Sequence, residues 1–387
     1  MKHLKIENFG PLKLADIEIG KFNLIIGFQS SGKSCILKTA CFCSWVEKRI
    51  LLSLSAHDFL VGNSFKKTIE RYYKFDGYFK HNTKIEYESD FVKFSFDNAA
   101  DTKFTFEWKK KRWSYKREKI SYIPAERNIV AAFPHWRSQA FADDNVLDFM
   151  NDWNNARRYV KKISDVLNLD LAYTYDESSD IDSLKLKDNQ ELPLANSSSG
   201  IQSLIPMYVY IHFLSKDIYK QELETEKQTY EAREKNKNLL YLLYNSLGTQ
   251  DYTDNSIKLT KQNIDFYFSD KAQADKFEKL VNQFTKTSGC NIFLEEPENN
   301  LFPPTQYQLI DMFIEMTQDK KHNNSFFIAT HSPYVLNHLL EQKIDGFKFF
   351  FTHQTSDGTI AKQAMEEEIQ EIRINGVDMF FNFEAYI

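Results

Sequence analysis

Residues 22–34 read FNLIIGFQSSGKS, an apolar run followed at once by a loop rich in glycine and serine. The loop fits the spacing G-x-x-x-x-G-K-[ST], in which main-chain N–H groups surround phosphate oxygens. This motif requires a buried strand before the loop and a helix after it. We expect a strand at 22–26 and a helix that starts near Lys33 and continues into the forties. The segment therefore predicts an α/β fold of the P-loop NTPase class.

The loop predicts contacts to ATP and to Mg²⁺. Lys33 is expected to bridge the β- and γ-phosphates, and Ser34 to hold Mg²⁺ through its hydroxyl. A chance match to the motif is the alternative, and the apolar strand before the loop counts against it. The predicted ATP-binding residues of this segment are Gly27, Gln29, Ser30, Ser31, Gly32, Lys33, Ser34 and Cys35.

A second apolar strand ends in two carboxylates. Residues 291–298 read NIFLEEPE, and a buried strand that delivers acids at its carboxyl end is typical of a Walker B element. Glu295 is expected to bind Mg²⁺ through water, and Glu296 to polarise the attacking water. A solvated acidic turn is the alternative interpretation.

Two further segments complete the pattern. Residues 326–332 read FFIATHS, and His331 at the end of this strand is predicted to contact the γ-phosphate. Residues 196–203 read NSSSGIQS, a serine-rich loop that opens a helix and can cap an anion with N–H groups and hydroxyls. Seen alone, that loop is an ordinary capped helix start. Beside the other three segments it is expected to form the second half of a composite ATP site, supplied by another copy of the chain.

The composition is that of a globular protein rather than a disordered or membrane-spanning one. Among 387 residues, 42% are hydrophobic and 27% charged, and the net charge is −5. No apolar run reaches the roughly 20 residues that a membrane helix needs, and the first residues enter a strand pattern rather than a signal peptide. The cysteines lack the spacing of a zinc site, which favours buried thiols in a reducing cytosol and hence a cytoplasmic protein.

The residue composition and hydrophobic pattern along the chain predict its domain organisation. We expect an ATPase head formed by residues 1–215 and 289–387, with an antiparallel β lobe at about 65–123. Residues 216–288 are polar and are expected to be an insertion that carries a short helical hairpin. The basic run at 109–112 is predicted to be a hairpin tip, and residues 145–170 to be helical.

The four motifs resemble those of ABC-type ATPases of the SMC/RecF/OLD group. Residues 6–12 are similar to the opening I-x-N-F-x-x-L of that group, and residues 122–127 match the Y-I-P-A-E-R strand of its OLD-like branch. Residues 295–303 are similar to the branch's segment E-E-P-E-x-x-L-H-P. The resemblance implies a fold like an ABC or SMC head. It also makes Ser199 and Gly200 the contacts to a γ-phosphate held by another copy.

The resemblance also implies partners. Proteins of this group work as dimers or higher homo-oligomers with composite ATP sites, and Asn299 and Asn300 then belong to a loop that crosses the interface. OLD-family proteins often carry a TOPRIM nuclease, for which too few residues follow the strand at 347–352. We therefore expect a separate effector protein, as in bacterial anti-phage systems such as PARIS, Septu or retron-associated modules.

This sequence also departs from the group in detail. Gln29 stands where the group usually has Asn, Ile201 where the signature loop has its second Gly, and Phe302 where a His is usual. No separate Q-loop is evident, and residues 126–127 lie where its substitute is expected. Because the phosphate and magnesium ligands remain, these departures bear on rate and regulation more than on binding.

Two other functions fit parts of the sequence. A RecF-like DNA clamp is suggested by residues 109–119, where seven cations lie among Trp108, Trp113 and Tyr115. Lysines on a solvated strand edge are the plainer explanation of that run. A nucleotide-binding subunit of a membrane transporter is the third possibility, and the opening at 6–12 and the segment at 295–298 speak against it.

Overall fold

The computed structural model describes residues 2–101, 103–220, 230–248 and 257–375. The helices are α1 (Lys33–Ser53), α2 (His57–Leu60), α3 (Ser64–Tyr73), α4 (Ile129–Ala132), α5 (Asn145–Val160), α6 (Ser199–His212), α7 (Tyr230–Asn245), α8 (Lys271–Thr285), α9 (Pro303–Gln318), α10 (Pro333–Glu341) and α11 (Glu366–Asn375). The strands are β1 (Lys2–Phe9), β2 (Leu12–Ile19), β3 (Phe22–Gly27), β4 (Phe79–Glu88), β5 (Val92–Asp97), β6 (Phe104–Trp108), β7 (Glu118–Ile123), β8 (Lys162–Ile163), β9 (Ala172–Asp176), β10 (Ile181–Lys185), β11 (Glu191–Pro193), β12 (Ile257–Lys261), β13 (Ile264–Phe268), β14 (Gly289–Glu295), β15 (Ser325–Ala329), β16 (Phe347–Thr355) and β17 (Gly358–Gln363).

One large mixed sheet organises the molecule. Its strand order is β6-β5-β4-β1-β2-β17-β16-β3-β15-β14-β7. The strands from β16 to β7 run parallel to one another, whereas β6, β5, β4, β1 and β2 form an antiparallel meander. Parallel strands are buried on both faces, and β3 is buried along its whole length. The loop at 28–32 therefore follows a central strand, at the carboxyl edge where ligands of open α/β sheets bind.

Alternate residues of the central strands enter two cores. From β3, Phe22, Leu24 and Ile26 pack into the core that contains α5, α6, α9 and α10. Ile25 points the other way, into the core that contains α1 and the meander. This period of two is the geometry of an extended strand covered on both sides.

The sheet curls around α1. Flat, its two outermost strands would lie about 48 Å apart at a strand spacing of ~4.8 Å. Yet β6 ends at Trp108 and β7 begins at Glu118, and the chain between them reaches at most about 34 Å. Side chains from β5 and from β7 enter the same core as α1, which explains why most of that helix is buried.

The stretch at 65–123 differs from the predicted lobe in two ways. It begins with the amphipathic helix α3, whose Phe65, Ile69 and Tyr73 lie buried on one face, rather than with strands. The run at 109–112 is not a hairpin tip, because β6 pairs only with β5 and the chain continues to the opposite edge of the sheet. The strands β4, β5 and β6 also extend the main sheet through β1 instead of forming a separate one.

The predictions of helix at 145–170 and of a helical insertion at 216–288 are only partly correct. Helix α5 ends at Val160, because residues 162–163 pair with β9 in a small antiparallel sheet, so the helical interpretation of 145–170 is right only in its first part. Between 216 and 288, α7 and α8 are separated by the hairpin β12–β13, so the insertion is not purely helical. Residues 221–229 and 249–256 of that insertion lie outside the described residues, and the proposed division into head and insertion stays a prediction.

The helices of the described ranges offer no candidate for crossing a bilayer, since none combines sufficient length with sufficient apolar character.

Candidate functional site

The loop between β3 and α1 has the backbone of a phosphate loop. Gly27 and Gly32 have φ angles of 151° and 86°, and Ser30 adopts 62°. Such left-handed values favour glycine. A Cβ atom on Gly32 would also lie 2.7 Å from Leu12 Cδ2, so the leucine side chain would have to shift to admit it. The first N–H groups of α1, which have no partners inside the helix, face the same space.

A buried hydroxyl pair fixes the middle of this loop. Ser31 Oγ lies 2.5 Å from Thr352 Oγ1, and both residues are fully buried. Thr352 stands on β16, the strand beside β3, and its hydroxyl donates to the Ile26 carbonyl at 3.3 Å. Gly27 leaves room for this contact, because a Cβ there would lie 1.8 Å from the Thr352 hydroxyl. Thr352 thus ties the loop to a strand near the other end of the chain.

The Lys33 ammonium is folded against its own loop. Its Nζ donates to the carbonyls of Gly27 at 2.9 Å and Phe28 at 2.7 Å. Burial lowers the pKa of Lys33 to about 8, while Glu296 and Glu298 act in the opposite direction. The lysine is therefore held at the point where a phosphate would replace two carbonyl oxygens as its partner.

The acidic strand end lies across from the loop. Glu295 terminates β14 and is buried, and its Oε1 has no hydrogen-bond partner among the described residues. Glu296 has a φ of 44°, and its N–H donates to the Ala329 carbonyl on β15 at 2.8 Å. This turn separates the two carboxylates, so that Glu295 stays inside and the side chain of Glu296 is about one-third exposed.

The histidine segment follows the neighbouring strand. His331 Nε2 lies 3.9 Å from Glu296 Oε1, and the His331 main-chain N–H donates to Glu298 Oε1 at 2.7 Å. Burial lowers the pKa of His331, and the nearby Lys33 lowers it further, which favours the neutral imidazole. Burial raises the pKa of Glu298, although its hydrogen bond from His331 partly offsets this. The third acid of the segment thus acts as a support for the histidine turn.

These residues meet in one open cleft of about 460 Å³. From the sequence-predicted set, the cleft is lined by Gln29, Ser30, Ser31, Gly32, Lys33, Ser34, Cys35, Glu295, Glu296 and His331. Gly27 is not part of the lining, and sequence reasoning missed three residues that are: Pro11, Tyr78 and Ala329. Tyr78 comes close because its ring packs over Gly10, where even a Cβ would lie 2.2 Å from the ring. The sequence signal that could have pointed to Tyr78 was Gly10, the turn glycine of the motif at residues 6–12.

The cleft fits a Mg²⁺ ion better than an all-protein metal centre. No group of three or more His, Cys, Asp or Glu side chains that could hold a metal ion is present among the described residues. Mg²⁺ keeps several waters and takes one or two protein oxygens beside those of a phosphate. Ser34, which is exposed, and Glu295, whose buried Oε1 has no hydrogen-bond partner among the described residues, both line the cleft and offer oxygen ligands of that kind.

A buried arginine joins the acidic strand end to α6. The Arg127 side chain is 0% exposed. Its guanidinium donates to five main-chain carbonyls, those of Glu296 at 2.8 Å, Glu295 at 2.9 Å, Ser203 at 3.1 Å, Pro124 at 3.4 Å and Pro297 at 3.4 Å. Burial lowers the pKa of Arg127 to about 10, against the opposing effect of Glu298. From the sequence, the substitute for a Q-loop was expected at residues 126–127. In the structure, the Arg127 side chain contacts main-chain carbonyls and does not line the cleft.

The serine-rich loop lies outside the cleft. Ser198 caps α6 by accepting from the Ile201 N–H at 3.5 Å, and Ser199 is exposed. Gly200 packs so closely on the Asn300 carbonyl that a Cβ would lie 2.6 Å from it. Neither Ser199 nor Gly200 lines the cleft of the same chain. Their role in an ATP site stays a prediction.

Three of the seven cations in the basic run at 109–119 form ion pairs with acids. Lys109 lies 2.6 Å from Glu88, Lys111 3.5 Å from Asp90, and Lys119 2.7 Å from Asp152. The Arg112 guanidinium lies about 5 Å from the ring centres of both Trp108 and Trp113. Arg117 is partly buried and donates to the Thr285 carbonyl at 3.2 Å. Five of the seven cations of the run, and the rings of Trp108 and Trp113, thus have contacts within the protein.

Comparison with solved structures finds similarity to SMC head domains. One is the SMC head domain from Thermotoga maritima, with 9% identity over 94% of this chain and 98% of that chain and a TM-score of 0.45. Another is the Smc head domain with an extended coiled coil from Pyrococcus furiosus, bound to the C-terminal domain of ScpA, with 10% identity over 97% and 99% and a TM-score of 0.35. A third is the Smc head domain with a coiled coil and joint from Pyrococcus yayanosii, with 10% identity over 97% and 99% and a TM-score of 0.32.

No curated protein matches the chain. Among protein families, the AAA ATPase domain matches residues 278–336, a segment much shorter than half of the chain. That segment includes β14 with its terminal acids, and also His331. This part of the chain therefore carries the sequence pattern of an AAA-type ATPase domain.

Proposed function

We propose that this chain binds ATP with Mg²⁺, hydrolyses it slowly, and assembles with further copies of itself around the bound nucleotide. The observation that carries the proposal is the single cleft in which the glycine-rich loop faces Glu295, Glu296 and His331. The family match to an ATPase domain supports it, because the matched residues supply the acidic wall and the histidine of that cleft.

Each wall of the cleft has a role in the proposed reaction. The main-chain N–H groups of the loop and the start of α1 bind the phosphates, and Lys33 exchanges its carbonyl partners for phosphate oxygens. Pro11 and Tyr78 form the apolar end, where an aromatic ring can stack on a base. Ser34 and Glu295 would hold Mg²⁺, which neutralises charge on the phosphate oxygens when it is bound.

Glu296 is the proposed general base. Its partly exposed carboxylate reaches the cleft, and a water that it polarises attacks the γ-phosphorus while the bond to the β-phosphate oxygen breaks. His331, held 3.9 Å from that carboxylate, is placed to contact a γ-phosphate oxygen. Its lowered pKa means that it donates as a neutral ring and does not add a charge to the site.

The assembly follows from what the cleft lacks. One side is open, and Ser199 and Gly200 of the same chain lie elsewhere. A second copy that presents its α6 start to this opening would supply N–H groups and a hydroxyl to the γ-phosphate. Such an arrangement makes ATP part of the interface, so that ATP binding and assembly are coupled.

The assembled protein is proposed to serve as a sensor or scaffold for a separate effector in anti-phage defence. This step rests on the resemblance to the OLD-like branch alone. The RecF-like clamp is the weaker candidate, because the ion pairs of Lys109, Lys111 and Lys119 leave fewer cations for phosphate contacts.

The test is light scattering on Glu296→Gln protein with and without Mg-ATP. Slow hydrolysis in this variant should trap the assembled state, so the mass should at least double with ATP. Glu366→Gln, an exposed acid at the start of α11, is the matched control and should behave like the unaltered protein. Lys33→Ala should neither bind ATP nor assemble. An unchanged mass in Glu296→Gln at saturating ATP would rule out assembly around the nucleotide.

A further inference from the structure

Burying the charged side chain of Arg127 is energetically unfavourable, so its presence in the core calls for an explanation. A guanidinium removed from water loses several kcal/mol of solvation in general, and charged side chains are almost never fully buried unless paired. Among the described residues, no carboxylate oxygen lies within hydrogen-bond distance of Arg127, and all five of its acceptors are main-chain carbonyls. A side chain that served packing alone would be satisfied more cheaply by an apolar residue of similar size.

The five acceptors belong to three separate elements. Pro124 follows β7, residues 295–297 are the end of β14 with the turn after it, and Ser203 lies in α6. Glu295 and Glu296 thus have their carbonyls fixed by the same guanidinium that holds the helix beginning at Ser199. A planar fork of five N–H donors is a property that only arginine has among the side chains.

We propose that Arg127 is a positioning residue that couples the α6 start, which reads the ATP of another copy, to the acids that act on the ATP of its own copy. The inference rests on the proposed function. When a γ-phosphate draws on Ser199 and Gly200, α6 shifts, its Ser203 carbonyl shifts with it, and the guanidinium carries that displacement to the Glu296 main chain.

Contacts at the start of α6 support the coupling. The Asn300 amide donates to Ser203 Oγ at 3.3 Å, and the Asn300 carbonyl packs against Gly200. Asn300 belongs to the same turn as Glu296, which its neighbour Asn299 closes by an N–H···O bond of 3.1 Å. The turn after β14 is thus attached to α6 at both its beginning and its end, so the two elements cannot move independently.

The experiment compares Arg127→Lys with Arg157→Lys. Arg157 is equally buried, but it pairs with Asp180 and Asp182 far along α5, at the small sheet. Lysine keeps the charge but has three donors on one atom and cannot hold five carbonyls. Steady-state ATP hydrolysis should fall about 100-fold in kcat for Arg127→Lys, the scale of a 1 Å misplacement of catalytic groups. The KM for ATP should change little, and Arg157→Lys should keep both constants.

A second readout addresses coupling rather than rate. In the unaltered protein, the dependence of hydrolysis on protein concentration should show that assembly accelerates turnover. In the double variant Arg127→Lys with Glu296→Gln, ATP-dependent assembly should persist. In the single variant Arg127→Lys, assembly should no longer accelerate hydrolysis. Equal loss of kcat in Arg127→Lys and Arg157→Lys, or a rise in KM alone, would overturn the proposal.

Hydrogen exchange on Glu296→Gln protein keeps the test usable if Arg127→Lys does not fold. On addition of Mg-ATP, amides of 199–206 and of 295–301 should gain protection together and with the same dependence on protein concentration. Protection of 295–301 by ATP at concentrations where 199–206 stays unprotected would separate the two elements and refute the coupling. A failure of the proposed function looks different, since neither segment would then respond to ATP.

Discussion

Replacing Thr352 by valine should loosen the phosphate loop without removing any residue that lines the cleft. The Thr352 hydroxyl donates to the Ile26 carbonyl, so Ser31 is the donor in the 2.5 Å contact between the two hydroxyls. Valine has the same shape but leaves the fully buried Ser31 hydroxyl without a partner. An unsatisfied buried donor costs about 1–3 kcal/mol of unfolding free energy.

Replacing Ser31 by alanine should lower the free energy of unfolding less than Thr352→Val does. In Ser31→Ala the Thr352 hydroxyl keeps the Ile26 carbonyl, so only the net value of one hydrogen bond, about 0.5–1.5 kcal/mol, is lost. The double variant should be no less stable than Thr352→Val alone, since no orphaned hydroxyl remains. Thr352→Ser keeps the contact and should lose only about 0.8 kcal/mol for its methyl group.

Urea unfolding of the nucleotide-free variants measures these free energies, provided that the dependence of the unfolding free energy on urea concentration is the same for all variants. A double-variant loss equal to the sum of the two single losses would show that the hydroxyls do not interact. A larger loss for Ser31→Ala than for Thr352→Val would refute the assigned direction of the hydrogen bond.

Three further predictions concern ligand binding. Phosphates raise the pKa of Lys33 above the value of about 8 that it has in the free loop, so ATP binding takes up a proton at higher pH. Affinity for a non-hydrolysable ATP analogue, measured by calorimetry, should be constant below pH 7 and fall about tenfold between pH 7 and pH 9; a flat profile would contradict this. Tyr78→Ala should weaken the same binding by about 1–3 kcal/mol, whereas Tyr78→Phe should not, and equal losses would argue against stacking. Replacing Lys109 and Lys111 by glutamine should leave the salt dependence of any DNA binding unchanged, because those lysines already pair with acids; a slope lowered by about one per lysine would restore the DNA hypothesis.

The sequence predicted the parts of the cleft that local pattern determines. The loop after β3, the start of α1 at Lys33, and the acids that end β14 each follow from residues adjacent in the chain. The hairpin of β1 and β2 around Gly10 was predictable for the same reason. The structure places all of these as expected, and the roles of the individual residues remain for experiment.

What could not be predicted depends on strand order. Thr352 is important only because β16 lies beside β3, and nothing near Thr352 in the sequence indicates that neighbour. Arg127 likewise gains its acceptors from β14 and α6, both distant in the chain. The error at 109–112 has the same origin, since local alternation predicts a return strand at 113–115, whereas the chain there crosses to the opposite edge of the sheet. Helix α3 was detectable, because Phe65, Ile69 and Tyr73 repeat at a spacing of four.

The neighbours of β3 in the sheet have a consequence for how the protein is made. The loop at 27–34 leaves the ribosome early, but β15 and β16, which flank its strand, come from residues 325–329 and 347–355. At ~5–20 residues per second, roughly 15–60 s pass between synthesis of Lys33 and of Thr352. Until β15 is made, β3 lacks both of its neighbours in the sheet, and until β16 is made it lacks one, so its apolar residues depend on chaperones or on partial structure. Nascent chains arrested before residue 347 should therefore fail to bind ATP, however complete their phosphate loop.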